Sequence, residues 1–175
     1  FLSCENNLQE INDYNAIADS LSVERARGVK IIYTDSSRRK ATIYAPLLER
    51  HSEKEDPYTE MKEGLRAYFY DQNEKVNSKL KADYGISFEN SKIITVKRNV
   101  SVKNIREEEL ETEELHWDQK KKIIYTEQFV KIRRKDEILY GTGFESNETF
   151  TRYKIKKPEG KFSIPEGNEP IENPQ

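Results

Sequence analysis

Any chemistry in this chain would have to be built from few residues. It has two histidines, His51 and His116. His51 sits in the charged stretch 49–56 and His116 stands beside Trp117, with no cysteine near either and no second histidine at helical spacing. Zinc and iron centres need such clustered nitrogen and sulfur ligands, so no metal is expected. Ser36, Ser37, Ser52, Ser87 and Ser101 lack the glycine pattern of a nucleophile elbow. Gly141-Thr142-Gly143 is followed by neither a helix nor a Lys-Ser/Thr pair, so it reads as a turn or bulge and not as a phosphate loop. Glu113 and Glu114 are neighbours on a predicted strand and must face opposite sides, which prevents them from acting as a carboxylate pair. These residues point away from an enzyme, and no cofactor is expected.

The single cysteine is Cys4. Phe1-Leu2-Ser3-Cys4 has the shape of the end of a bacterial lipoprotein signal peptide, and Glu5-Asn6-Asn7 after it resembles a polar tether. Cys4 is therefore a candidate lipidation site, the alternative being an incidental free thiol. No window approaches the 18 or so apolar residues of a membrane span. Membrane attachment would come from acyl chains on Cys4 or from residues upstream.

The elements that position the remaining side chains are strands. The chain is 34 % hydrophobic and 35 % charged, yet it holds 10 Tyr and 7 Phe. A sheet with one apolar and one solvated face produces such numbers, whereas a disordered chain would have few aromatics. A net charge of -2 argues against a nucleic-acid partner. Period-2 alternation runs through 29–33, 38–48, 58–61, 65–70, 76–84 and 93–102, then through three segments within 109–144, and last through 149–155. Short charged turns separate them. That predicts ten to twelve antiparallel strands and one all-β domain over residues 28–157. Residues 1–27 form a lipobox-like end and tether, and residues 158–175 an acidic, Pro- and Gly-rich tail. Pro46 favours a strand end or an edge. Arg98 interrupts the apolar face of its strand, and alternation alone leaves its side open.

Strands of similar plan recur some twenty residues apart: 79–84 leads to 99–102, and 110–115 leads to 129–132. Such hairpins stack into an elongated, open structure with a concave apolar face. By alternation that face carries Ile43, Ala67, Phe69, Leu80, Ala82, Ile94 and Val96 from the first half of the chain. From the second half it carries Leu115, Trp117, Ile124, Val130, Ile132, Leu139 and Phe144. The chain has few large aliphatics with which to fill a thick sandwich, which leaves room for an apolar ligand between the layers. An unclosed sheet also has edges able to accept a partner strand. Val29, Ile31 and Tyr33 mark the first edge, and Phe150, Thr151, Tyr153 and Ile155 the last.

Several of these segments together resemble a known family. They are Leu80-Lys81-Ala82-Asp83-Tyr84, Asn99-Val100-Ser101-Val102, the run from Leu110 to Asp118, Ile124-Tyr125-Thr126, Val130-Lys131-Ile132 and Gly141-Thr142-Gly143-Phe144. Their order and types are similar to those of the lipopolysaccharide-export LptC family over about residues 28–160. Arg98 stands where that family has a glycine before Asn-Val, and a second family glycine is replaced within 107–109. The resemblance implies a single elongated, open, twisted antiparallel β-jellyroll with an apolar groove. It implies a non-enzymatic carrier that accepts lipopolysaccharide from the inner-membrane Lpt ABC transporter and passes it to an LptA-like periplasmic bridge protein. Phe150–Ile155 would then be the edge toward the bridge and Val29–Tyr33 the edge toward the transporter. The location implied is the periplasmic side of the inner membrane, here with a lipid anchor at Cys4 instead of a helix. The alternatives are the soluble bridge component of the same pathway and a structural β-rich lipoprotein that carries no lipid.

Overall fold

The computed structural model describes residues 23–163. Eleven strands form one antiparallel sheet: β1 (Val23–Asp35), β2 (Arg38–His51), β3 (Tyr58–Met61), β4 (Leu65–Tyr70), β5 (Val76–Ala82), β6 (Tyr84–Phe88), β7 (Ile93–Asn104), β8 (Glu109–Asp118), β9 (Ile123–Arg133), β10 (Glu137–Asn147) and β11 (Tyr153–Ser163). Among the described residues no helix is long and apolar enough to cross a membrane.

The pairings reduce to one meander folded across its middle. β2 pairs with β4 through Ala41–Tyr44 and with β3 through Glu49–His51. β7 divides itself the same way, pairing with β6 through Tyr84–Ser87 and with β5 through Ser78–Lys81. β3 with β4, and β5 with β6, therefore act as two more long strands, each broken at the fold line. One wall holds the second halves of β1, β7, β9 and β11, the first halves of β2, β8 and β10, and all of β4 and β5. The other wall holds the remaining halves with β3 and β6. β1 pairs with β2 and β11 with β10, and among the described residues no pairing joins β1 to β11, so this sheet is open.

A run of irregular positions makes the fold line. Gly28 (φ 62) lies in the gap of the β1–β2 register opposite Pro46. Arg98 (φ 64) and Asn99 (φ 51) form a bulge where β7 changes neighbour, and Gly143 (φ 79) forms one in β10, which keeps β9 and β11 as neighbours throughout. Bulges let a strand bend while its ladders continue on both sides.

This geometry settles several sequence expectations differently. Pro46 is inside β2 and not at its end. It is tolerated because β2 exchanges β4 for β3 there, and no ladder on that side needs its missing N–H. The expected strand 76–84 is two strands, split at Asp83. Arg98, whose side alternation left open, is exposed, and its guanidinium lies 5.1 Å from the centre of the Tyr84 ring. β1 begins at Val23, before the expected Val29. The last strand is Tyr153–Ser163 and not 149–155, so it takes in the first six residues of the expected tail. Phe150 and Thr151 sit in the turn before it.

Candidate functional site

The inner faces of the two walls bring the predicted apolar residues together. Ile43, Ala67, Phe69, Leu80, Ala82, Val130 and Ile132 are buried on one wall, with Leu139 half-buried against them. Ile94, Val96, Leu115, Trp117, Ile124 and Phe144 are buried on the other. Met61, Leu65, Leu110 and Phe150 belong to the same cluster, as do Ala41, Ala45, Val100 and Val102. Leu110 was legible, since it alternates with Thr112; Phe150 was not, because a lone aromatic in a turn has no period.

The protein's own side chains fill the space between the walls. An aromatic chain crosses it: Tyr33 to Trp117 at 5.4 Å, Trp117 to Phe69 at 5.3 Å, Phe69 to Phe150 at 5.7 Å, Phe150 to Phe144 at 6.5 Å and Phe144 to Tyr153 at 5.6 Å. Most of these contacts are edge-on or tilted, arrangements that suit the ring quadrupole. They leave one cavity of about 20 Å³ between Phe69, Leu80, Leu115 and Trp117, and another of about 10 Å³ between Leu110, Ile132, Phe144 and Phe150. Each is about the size of one water molecule. The room expected from the scarcity of aliphatics is taken up by aromatics in this conformation. Two larger concavities, of about 510 and 610 Å³, have mixed polar and apolar linings that include Lys81, Asn99 and several exposed acids, so neither is an apolar groove.

Polar contacts clasp the rims of the two walls. Lys122 Nζ, at the β8–β9 turn, donates to Asp35 Oδ2 at the β1–β2 turn over 2.6 Å. At the other clasp Arg134 donates to the Tyr153 hydroxyl from Nε (2.9 Å) and Nη2 (2.7 Å), and that hydroxyl donates to Glu108 Oε1 (3.2 Å). Asn104 Nδ2 and Arg106 Nη2 each reach Glu108 Oε2 at 2.7 Å. Burial alone would raise the Glu108 carboxyl, but these donors and the Arg106 charge outweigh it and hold the group below its usual range. Burial pushes the hydroxyls of Tyr33 and Tyr153 up, so both stay neutral. The Trp117 indole N–H donates to Glu148 Oε1 at 3.0 Å.

The chemistry-bearing residues are otherwise engaged. His116 Nδ1 lies 2.9 Å from Thr95 Oγ1 and Nε2 2.9 Å from Glu114, a single carboxylate. Glu49, His51 and Glu60 converge closely enough to hold a cation. Lys62 Nζ already lies 2.5 Å from Glu49 and 3.3 Å from Glu60, and Arg25 donates to Glu49 over 2.9 Å. Hydrogen bonds from these two cations lower the Glu49 carboxyl to about 2, so this is a self-neutralised ion network. Among the described residues no catalytic motif or metal site is indicated.

Val29, Ile31 and Tyr33 lie on edge strand β1, and Tyr153 and Ile155 on edge strand β11. Cys4 falls outside the described residues. The model of the family described as lipopolysaccharide-assembly, LptC-related matches residues 13–157. No curated protein was found to match this chain.

Proposed function

The chain belongs to the LptC-related lipopolysaccharide-assembly family, and from that premise we propose that it is a lipid carrier which shelters acyl chains between its two walls. Membership itself carries a role in lipopolysaccharide transport and a periplasmic, inner-membrane-associated setting. In the reading proposed here, lipopolysaccharide is taken from the inner-membrane ABC transporter and handed to an LptA-like bridge protein. The β1 edge faces the transporter, the β11 edge faces the bridge, and lipid on Cys4 anchors the chain. No residue need be catalytic, since the driving force is removal of acyl methylenes from water at about 0.8 kcal/mol each.

The observation that supports this reading is the continuous apolar interior, shared by two walls of a sheet that is open along β1 and β11. A second reading, a structural β protein without cargo, is favoured by the filled interior. Photocrosslinking separates the two. Photoreactive residues at Phe69, Trp117 and Val130 in cells should yield lipopolysaccharide adducts, whereas outward positions such as Lys79 should not. No adduct at any inward position defeats the carrier reading and leaves the structural one.

A further inference from the structure

Resting on the carrier reading, we propose that Phe150 is a displaceable plug. Its phenyl ring holds the place an acyl chain takes when the walls part, and the loop at 148–152 is latched to the opposite rim.

Phe150 belongs to the turn between β10 and β11, where side chains ordinarily face water, yet it is 3 % exposed. Its ring reaches between the walls and packs on Phe69 of one and Phe144 of the other. It borders the smaller cavity directly, while its neighbour Phe69 borders the larger. Withdrawing this one ring would therefore extend the smaller void as far as the Phe69 ring, which itself borders the larger one. Roughly two to four acyl methylenes would replace the burial that a phenyl ring contributes.

The backbone supports a part that moves. Phe150 has φ 56, a left-handed conformation that a bulky L-residue adopts only at an energetic cost. The surroundings hold it there. The loop is also braced from within and can move as a unit. Asn147 Oδ1 accepts from the N–H groups of Thr151 (3.1 Å) and Arg152 (2.9 Å), and its Nδ2 donates to the hydroxyls of Thr149 and Thr151. Its ties to the opposite rim are two, Asn104 Nδ2 to the Phe150 carbonyl (3.1 Å) and Arg106 Nη2 to the Thr151 carbonyl (3.0 Å), and on its own wall Glu148 Oε1 accepts from the Trp117 indole N–H (3.0 Å). A plug needs this combination of internal rigidity and weak external fastening.

The test places 4-fluorophenylalanine at position 150 or at position 69 of the full chain and follows the fluorine resonance as purified lipopolysaccharide is added. Position 69 reports occupancy of the interior, and position 150 reports the plug. Both resonances should shift, with that at 150 moving to a solvent-exposed value. A shift at 69 with none at 150 overturns the plug and leaves the carrier reading standing; no shift at either overturns both. The exposed latch residue gives a second arm. Arg106→Ala raises the open population and should tighten apparent lipopolysaccharide binding about five- to tenfold. Unchanged or weaker binding with an intact fold overturns the latch.

Discussion

Replacing Gly141 by alanine tests how tightly the last edge strand is seated. Gly141 sits at the register shift between β10 and β11. A Cβ there would lie 2.2 Å from the Lys157 carbonyl oxygen and 2.8 Å from both Pro158 Cα and Ile155 Cγ2. Two of these neighbours are backbone atoms, which no rotamer change can move aside. An ordinary contact lies near 3.5 Å, so β11 must retreat by about 1 Å. Overpacking of this kind costs about 3 kcal/mol, the upper end of the usual range, because the strain falls on a ladder. For a domain of this size that lowers Tm by about 6–12 °C. Gly28→Ala is the control: its Cβ meets nothing within 4 Å, but φ is +62, so only the left-handed conformation is penalised, at about 1 kcal/mol. Urea unfolding followed by circular dichroism measures both. If Gly141→Ala costs less than Gly28→Ala, β11 is not packed on β10 as described. In the carrier reading Gly141→Ala should also lose the bridge protein while inward crosslinks to lipid persist.

Two further perturbations address charge and backbone. Glu49 has a folded-state pKa of about 2, below its ordinary 4.5, so its contribution is complete above about pH 4.5 and is lost as pH falls toward 2. Since Lys62 and Arg25 are half-exposed, that contribution is discounted to the order of 2 kcal/mol. Thermal melts from pH 5 to pH 2 should show a shallower decline for Glu49→Gln, and identical slopes would remove the network from acid stability. At Arg98, Arg98→Gly relieves the left-handed backbone by about 1 kcal/mol and loses a cation–π contact of about 0.5–1 kcal/mol, so it should be near neutral. Arg98→Ala keeps the strain and loses the contact, so it should unfold first in urea; equal stability of the two variants would exclude backbone strain at this position.

The long central strands were legible because each puts apolar residues on one face at period 2: Leu110 and Thr112 on β8 stand opposite Ile132 and Val130 on β9. β11 was only partly legible. An edge strand that buries little carries charge on both faces, as Lys154, Lys156, Lys157, Glu159 and Lys161 do, and its composition imitates a solvated tail. The fold line was hidden for another reason. Residues that break alternation, such as Pro46 and Arg98, each look like a strand end in isolation, and only the pairing shows that neighbours change there while the strand continues; Asp83 keeps the alternation in phase although the strand ends there. Glu108 and Tyr153 are 45 residues apart in sequence, and Phe69 and Phe150 further still, so no local pattern announces the clasp or the aromatic bridge.

The filled interior has a consequence for transport. A carrier whose empty state is satisfied by its own aromatics must break those contacts before it accepts a lipid. A closed form favoured by about 3 kcal/mol weakens apparent affinity on the order of 100-fold. An acyl chain of about twelve carbons offers roughly 9 kcal/mol on leaving water, so in the carrier reading proposed above loading would remain downhill. Transfer to a second apolar interior leaves that gain nearly unchanged, while closure of Phe69, Trp117 and Phe150 over the vacated space favours the donor's release. In that reading, closing on itself would give hand-over a direction without any energy-consuming residue in the chain, and it would protect the empty interior from other apolar solutes. In this account the side chains that obscure a groove in the closed structure are also the groups that drive its emptying.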